Sequence, residues 1–137
     1  MTVFVDTSVW YAAADSGDVD NGRAREILAV QEPLLTSDHV LVESWLLLRR
    51  RLGGGAAERF LDGILSGVAE LEIVTRADLE VARTIGERYA DQDFSIVDRT
   101  SFAMMHRMGL SRAASFDSDF AIYRVGPRPG RAFEVLS

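Results

Sequence analysis

The chain has 137 residues, of which 47% are hydrophobic and 26% charged, a composition that excludes disordered and fibrous proteins. It contains no cysteine and no lysine, which excludes disulfide scaffolds, thiolate metal sites and every mechanism that needs a catalytic or phosphate-binding lysine. Its net charge of −6 argues against general electrostatic binding to nucleic acid, so a polyanion would need a local basic patch or a bound cation.

Strands and helices alternate along the chain. In chain order, the pattern predicts strand Thr2–Val5, helix Ser8–Ala14, helix Asn21–Val30, strand Pro33–Thr36, helix Asp38–Leu52 capped by Asp38, helix Ala56–Leu65, strand Leu71–Val74, helix Ala77–Tyr89, helix Ser95–Met108, strand Arg112–Phe116, a helical turn after Asp117, and strand Ala132–Val135. Strands separated by helices predict a parallel sheet covered on both faces, with ligands at the carboxyl ends of its strands.

The organisation and location of the protein follow from simple features. No repeat or linker interrupts the chain, so we expect residues 1–137 to form one domain. The longest apolar run, Val9–Ala14, is far too short to span a membrane. The N-terminus lacks the basic segment of a secretory signal. These features predict a cytoplasmic protein without membrane contact.

Two aspartates follow predicted strands. Asp6 ends the apolar strand that begins at Thr2, and Asp117 ends the strand that begins at Arg112. Both therefore belong to the carboxyl edge of the sheet, where sites are built. Each could instead be the N-cap of the following helix, because aspartate is a preferred capping residue.

Two further acids lie on predicted helices. Asp98 could complete a capping box with Ser95, or could contribute its carboxylate to a site. Glu43 lies in the middle of an apolar helix, where capping cannot explain it. We expect Glu43 to be buried and to need a cation, a hydrogen-bonding pocket or an ion pair with Arg99 or one of Arg49–Arg51.

Together these four acids favour a metal site more than any one does alone. Carboxylates gathered at one edge repel each other, and without lysine a divalent cation is the natural neutralising group. Carboxylate oxygens are the ligands of Mg²⁺ and Mn²⁺. Zinc is not expected, since His39 and His106 are the only histidines and each is more typical of a surface or core residue.

Four segments carry a resemblance to a known family. Val5–Trp10, Leu41–Glu43, Phe94–Asp98 and Ser115–Phe120 resemble, in order and spacing, the four motifs of PIN-domain ribonucleases, and the chain is most similar to the VapC toxins of bacterial toxin–antitoxin pairs. The resemblance covers the whole chain. It implies a three-layer α/β/α sandwich with a mostly parallel central sheet.

The resemblance also implies a Mg²⁺- or Mn²⁺-dependent endoribonuclease, usually a homodimer, that cuts RNA and is inhibited by a VapB-like antitoxin. The matching catalytic residues are Asp6, Glu43, Asp98 and Asp117, which would also hold the metal. Asp119 is a further candidate ligand, and either Asp117 or Asp119 could be the fourth acid. Thr7 or Ser8, and Ser115, match the supporting hydroxyl positions. The antitoxin is expected in a groove between helices Asp38–Leu52 and Ala56–Leu65.

Possible RNA contacts surround these motifs. The run Arg49–Arg51 could bind phosphate, or could only stabilise the C-terminal end of its helix. Trp10, Tyr11, Phe94 and Phe120 could stack on bases, although core packing is the simpler explanation for the two phenylalanines.

Two other functions stay open. One is a catalytically inactive PIN-like module that binds RNA or protein. The other is a different Mg²⁺-dependent α/β phosphate hydrolase, such as a receiver or haloacid-dehalogenase-like domain. Enzymes of both of these last classes use a lysine near the phosphate, and this chain has none.

Overall fold

Short apolar segments form the central sheet and longer amphipathic segments form the helices around it. The computed structural model describes residues 1–127 and 130–137. The strands are β1 (Val3–Val5), β2 (Leu34–Ser37), β3 (Glu70–Glu72), β4 (Arg112–Ala114), β5 (Arg124–Val125), β6 (Arg131–Ala132) and β7 (Glu134–Leu136). The helices are α1 (Thr7–Ala14), α2 (Asn21–Leu28), α3 (Asp38–Leu52), α4 (Gly54–Leu65), α5 (Arg76–Arg88), α6 (Ile96–Arg107) and α7 (Asp119–Ile122).

Five of these strands form one sheet in the order β3-β2-β1-β4-β7, and every neighbouring pair is parallel. Helices flank this sheet, which confirms the predicted α/β/α sandwich. The chain leaves β1 towards β2 on one side and later returns to β4 on the other. The carboxyl ends of β1 and β4 therefore lie side by side at a topological switch point, where α/β proteins place their ligands.

The hydrophobic core surrounds β1 and continues into an aromatic cluster. The three residues of β1, Val3–Val5, are fully buried, as expected for a strand covered on both faces. Phe102 of α6 stacks on Tyr123 with ring centroids 4.5 Å apart and meets Phe120 edge-on at 4.9 Å. This aromatic packing fixes α6 against the segment that follows β4, so two parts of the site described below share one rigid support.

Several predicted boundaries differ from the structure. Strand β4 stops at Ala114, before Phe116, because the Ser115 and Asp117 side chains turn the chain there. The cap of α3 is Ser37 and not Asp38: the Ser37 hydroxyl accepts a hydrogen bond from the Val40 amide, while Asp38 accepts one from the Val74 amide.

The C-terminal region also differs from its prediction. Strands β5 and β6 pair antiparallel as a small separate sheet that the sequence pattern did not indicate. The last strand of the main sheet is Glu134–Leu136 and not Ala132–Val135. Its register is fixed by the pairs Arg112–Glu134 and Ala113–Val135 with β4. Within residues 1–127 and 130–137, no helix is both long and apolar enough to span a membrane.

Candidate active site

The first carboxylate of the site stands at the end of β1. Asp6 is the N-cap of α1, as the capping alternative predicts, and its side chain accepts from the Ser8 amide. Its Oδ2 also accepts hydrogen bonds from the Ser8 hydroxyl at 2.9 Å and the Ser115 hydroxyl at 3.0 Å. Because Ser115 follows β4, this contact joins the ends of the two neighbouring strands. Capping and site formation are therefore compatible for Asp6.

Burial dominates the electrostatics of Asp6. The residue is only 4% exposed, and burial raises the pKa of its carboxyl above the ordinary value. The hydrogen bonds from Ser8 and Ser115 favour the ionised form and offset part of this rise. A cation next to Asp6 would therefore relieve an existing electrostatic cost.

The second carboxylate belongs to the first turn of α6. Asp98 and Ser95 form the predicted capping box: the Ser95 hydroxyl accepts from the Asp98 amide at 3.1 Å, and Asp98 Oδ2 accepts from the Ser95 amide at 3.2 Å. Asp98 is also 8% exposed. Burial and the neighbouring carboxylates of Asp119, Asp6 and Asp117 raise the pKa of Asp98 from 3.8 to about 8.

The remaining carboxylates come from the loop after β4. Asp117 Oδ1 accepts a hydrogen bond from the Asp119 amide at 3.0 Å, and this contact starts the short helix α7. Carboxylate oxygens of Asp98, Asp117 and Asp119 lie within 4.8 Å of one another. The sequence left open whether Asp117 or Asp119 belongs with the other acids, and the structure places both beside Asp98.

This group has the chemistry of a divalent-cation site. All its donors are carboxylate oxygens, which Mg²⁺ and Mn²⁺ prefer. No ion pair to Asp6, Asp98, Asp117 or Asp119 is found among residues 1–127 and 130–137. Burial, and after it the neighbouring carboxylates, raise the pKa of Asp98, as expected for a carboxylate with no cation beside it. The residues present therefore fit a bound divalent cation.

Glu43 differs from its prediction. It is half-buried rather than buried, because α3 exposes one apolar face, on which Val42 and Leu46 are each 56% exposed. Its carboxylate lies outside the group formed by Asp98, Asp117 and Asp119. Across the part of the chain that the structure describes, it forms no ion pair, so the expected partners Arg99 and Arg49–Arg51 do not compensate it.

Two shallow grooves meet at Glu43. One, of about 480 Å³, is lined by Thr7, Glu43, Leu46, Leu47 and Arg50. The other, of about 360 Å³, is lined by Asp38, His39, Val42, Glu43, Leu46 and Val97. Glu43 and Leu46 belong to both grooves. Through Val97, the residue before Asp98, the second groove reaches the first turn of α6.

Helices α3 and α4, between which the antitoxin groove is predicted, pack against each other. Leu48 of α3 and Ala57 of α4 are fully buried and pack with Tyr11 in a small cluster of their own. The side chains of Trp45 and Phe60 are only partly buried against this cluster. The position of the antitoxin between these helices stays a prediction.

The expected RNA-stacking aromatics are not available for bases. Trp10, Tyr11, Phe94 and Phe120 are all at most 8% exposed and serve as core residues. The exposed run Arg49–Arg51 does lie in the last turn of α3, as the capping alternative predicts, and Arg50 also lines the larger groove.

One groove residue was missed at the level of sequence. His39 precedes Glu43 by four positions on α3, a spacing that puts both side chains on one helix face. That spacing is the signal that could have related His39 to the site.

Three comparisons place the chain among known proteins. A model of the family described as PIN domain matches residues 3–126. The 23S rRNA-specific endonuclease VapC20 of Mycobacterium tuberculosis is 44% identical over 121 residues, which cover 87% of this chain and 92% of that protein.

Solved structures agree with this match. The crystal structure of Mycobacterium tuberculosis VapC20, described as a sarcin–ricin loop cleaving toxin, superposes with a TM-score of 0.81 and 41% identity, covering 85% of this chain and 91% of that one. DNA-bound VapBC from Salmonella typhimurium matches with a TM-score of 0.68 at 16% identity, covering 100% of both chains, and shares the fold.

Proposed function

Because the chain belongs to the PIN domain family, we propose that it is an endoribonuclease that acts as the toxin of a toxin–antitoxin pair, with residues 1–137 forming one PIN-like domain. The observation that carries this proposal is the group of carboxylates at the switch point of the sheet. Three of them have oxygens within 4.8 Å of one another, and Asp6 is near enough to raise the pKa of Asp98.

The substrate follows from the relative that shares 44% of its residues with this chain. That protein is named for cleavage of 23S rRNA, and the similarity extends over 87% of the present chain. We therefore propose large-subunit ribosomal RNA as the substrate, and with it a cytoplasmic site of action.

The acidic group would hold Mg²⁺ or Mn²⁺ through Asp98, Asp117 and Asp119, together with Asp6. When bound there, the ion supplies a Lewis acid for the scissile phosphate and lowers the pKa of a water molecule. The hydrogen bonds from Ser8 and Ser115 hold the Asp6 carboxylate in place for this task. The capping box with Ser95 does the same for Asp98.

Glu43 has a different role in this proposal. It lies outside the group of three carboxylates and lines both grooves, so it faces the path of the substrate. We assign it the task of accepting the proton of the attacking water. The water oxygen bonds to phosphorus in line with the leaving oxygen, the P–O bond to that oxygen breaks, and the leaving oxygen takes up a proton from solvent to become a hydroxyl. Arg50, at the far end of the larger groove, is placed to bind a neighbouring phosphate.

Charge complementarity indicates the chemistry of the inhibitor. An acidic pocket in a chain of net charge −6 favours an antitoxin segment that carries arginine or lysine, so we propose a VapB-like protein as the partner. We also propose that the protein is a homodimer, as the toxins that it resembles usually are.

Cleavage of ribosomal RNA tests the proposal. Purified protein is incubated with 23S rRNA in Mn²⁺ or in EDTA, and the ends of the fragments are mapped. We expect cleavage at one main position with the metal and none with EDTA. Asp98→Asn, which keeps the capping geometry but removes the charge, should be inactive. Intact RNA with the metal-loaded wild type would refute the proposed function, and cleavage in EDTA would refute its dependence on metal.

A further inference from the structure

A histidine lies beside the acidic group without belonging to it. His39, in the first turn of α3, is half-buried, and its Nδ1 lies 3.1 Å from the hydroxyl of Thr100 on α6. Thr100 is itself fully buried. The contact therefore fixes the imidazole ring between two helices of the site.

We assign the imidazole as the donor in this contact. A threonine hydroxyl has one hydrogen. The Thr100 hydroxyl lies 3.2 Å from the Val97 carbonyl and is placed to donate that hydrogen to it. With the hydroxyl oriented in this way, His39 Nδ1 is the donor to Thr100 Oγ1. In the neutral ring the proton is thus on Nδ1, and Nε2 carries a lone pair.

The Nε2 atom is left for a ligand. Among the described residues, no protein group forms a hydrogen bond with it. The ring lines the smaller groove together with the aliphatic residues Val42, Leu46 and Val97 and the acidic residues Asp38 and Glu43. The groove therefore combines aliphatic surface with hydrogen-bond acceptors, which suits a hydroxyl or amino group and disfavours a phosphate.

We infer that His39 is a substrate-contacting residue: its Nε2 accepts a hydrogen bond from a nucleotide of the RNA that lies in this groove beside the scissile phosphate. The inference rests on the proposed function. A phosphate oxygen has no hydrogen to donate to Nε2, so the contacted group is a 2′-hydroxyl or a base amino group. Aliphatic side chains such as Val42 and Leu46 suit the face of a ribose or base. A 2′-hydroxyl contact would also distinguish RNA from DNA.

Variants at His39 separate this contact from a structural role. Asn places an amide near the position of Nδ1 and nothing at Nε2, so His39→Asn keeps the donor to Thr100 and loses the acceptor. Gln reaches the position of Nε2 and should restore part of the contact. The matched control is His106→Asn, because His106 is exposed near the other end of α6.

The primary experiment measures binding and not cleavage. Fluorescence anisotropy of a labelled rRNA hairpin is recorded in Mn²⁺, with Glu43→Gln in every protein to prevent cleavage and thermal unfolding as a check on folding. We expect His39→Asn to weaken binding about fivefold, the effect of one net hydrogen bond, while His39→Gln is intermediate and His106→Asn is unchanged. ¹⁵N NMR of the wild type should show the neutral His39 protonated at Nδ1.

Modified RNA then identifies the donor. Single 2′-deoxy substitutions, and purines without the exocyclic amino group, are introduced near the cleavage position. One of them should weaken binding by wild type and have no effect on His39→Asn. The inference is overturned if His39→Asn binds RNA as tightly as wild type, or if it changes only dimerisation or inhibition by the antitoxin. Failure of wild type to cut RNA in Mn²⁺ is a separate result that rejects the proposed function.

Discussion

Two buried aspartates with the same local geometry should respond oppositely to loss of their charge. Asp78 of α5 and Asp98 of α6 each occupy the third position of a capping box, with Thr75 and Ser95 as the respective caps. Arg107 donates two hydrogen bonds to Asp78, at 2.9 and 3.0 Å, whereas Asp98 is surrounded by other carboxylates. An Asp→Asn change keeps the capping acceptor in both boxes, so only the surroundings differ.

The pKa of Asp98 sets the size of its effect. Because burial and the nearby carboxylates raise this pKa from 3.8 to about 8, the folded protein keeps a proton that the unfolded chain releases. Its contribution to stability is complete below pH 4 and is lost as the pH rises to about 8. The free energy of unfolding should fall by at most about 1.4 kcal/mol per pH unit across this window. Asp98→Asn lacks this loss and should become more stable than wild type towards pH 8 without metal.

Asp78 should show the opposite sign. Burial pushes its pKa up, but the hydrogen bonds from Arg107 and Thr75 outweigh burial and lower the pKa below 3.8. Its stabilising contribution is present above the unfolded value and is lost as the pH falls through the lowered folded value. Asp78→Asn should therefore cost about 1–3 kcal/mol at pH 7, and the cost should shrink in acid.

Urea unfolding of wild type and both variants between pH 3 and 8.5, in EDTA, measures these effects. Mn²⁺ is then added at a hundredfold excess over its Kd. Wild type should gain about 2.7 kcal/mol, and Asp98→Asn much less because it has lost a charged ligand. If the free energies of unfolding of wild type and Asp98→Asn ran parallel across the pH range, the raised pKa of Asp98 would be refuted as the cause of the loss of stability. Equal gains in Mn²⁺ would refute Asp98 as a ligand.

Further predictions concern the loop after β4 and the surface of α5. Asp117→Asn and Asp119→Asn should each lower the affinity for Mn²⁺ more than about tenfold, as measured by calorimetric titration. An unchanged affinity in either variant would refute that aspartate as a metal ligand. A Cβ at Gly86 would clash with Nη1 of Arg99 and displace that guanidinium. In urea unfolding, Gly86→Ala should therefore not give the gain of about 1 kcal/mol expected for a helical glycine, whereas Gly63→Ala, with its nearest contact at 3.7 Å, should approach it.

The sequence predicted which aspartates meet at the carboxyl edge of the sheet better than it predicted which helix faces are buried. Asp6 and Asp117 follow apolar strands, and the parallel topology brings the ends of β1 and β4 together as expected. The burial of Glu43 was predicted wrongly because α3 is apolar around much of its circumference. Such a pattern does not say which of its faces neighbouring elements cover, and here Val42 and Leu46 stay exposed.

Local contacts explain the other differences. Ser37 and Asp38 are both good capping residues, and only the position of the Val74 amide, which Asp38 binds, decides between them. The grouping of Asp119 with Asp98 depends on the turn after β4. That turn is set by long-range contacts of Ser115 with Asp6 on another strand, which a local pattern cannot reveal.

The helix ends at this site show why a cation is still needed. Asp6 caps α1 and Asp98 lies in the first turn of α6, so the positive ends of two helix dipoles face the acidic group. Each such end stabilises a nearby negative charge by only about 0.3–1 kcal/mol. The rise of the Asp98 pKa from 3.8 to about 8 corresponds to several kcal/mol. The helix ends therefore orient the carboxylates without neutralising them, and in a chain without lysine a divalent cation would supply the remaining positive charge.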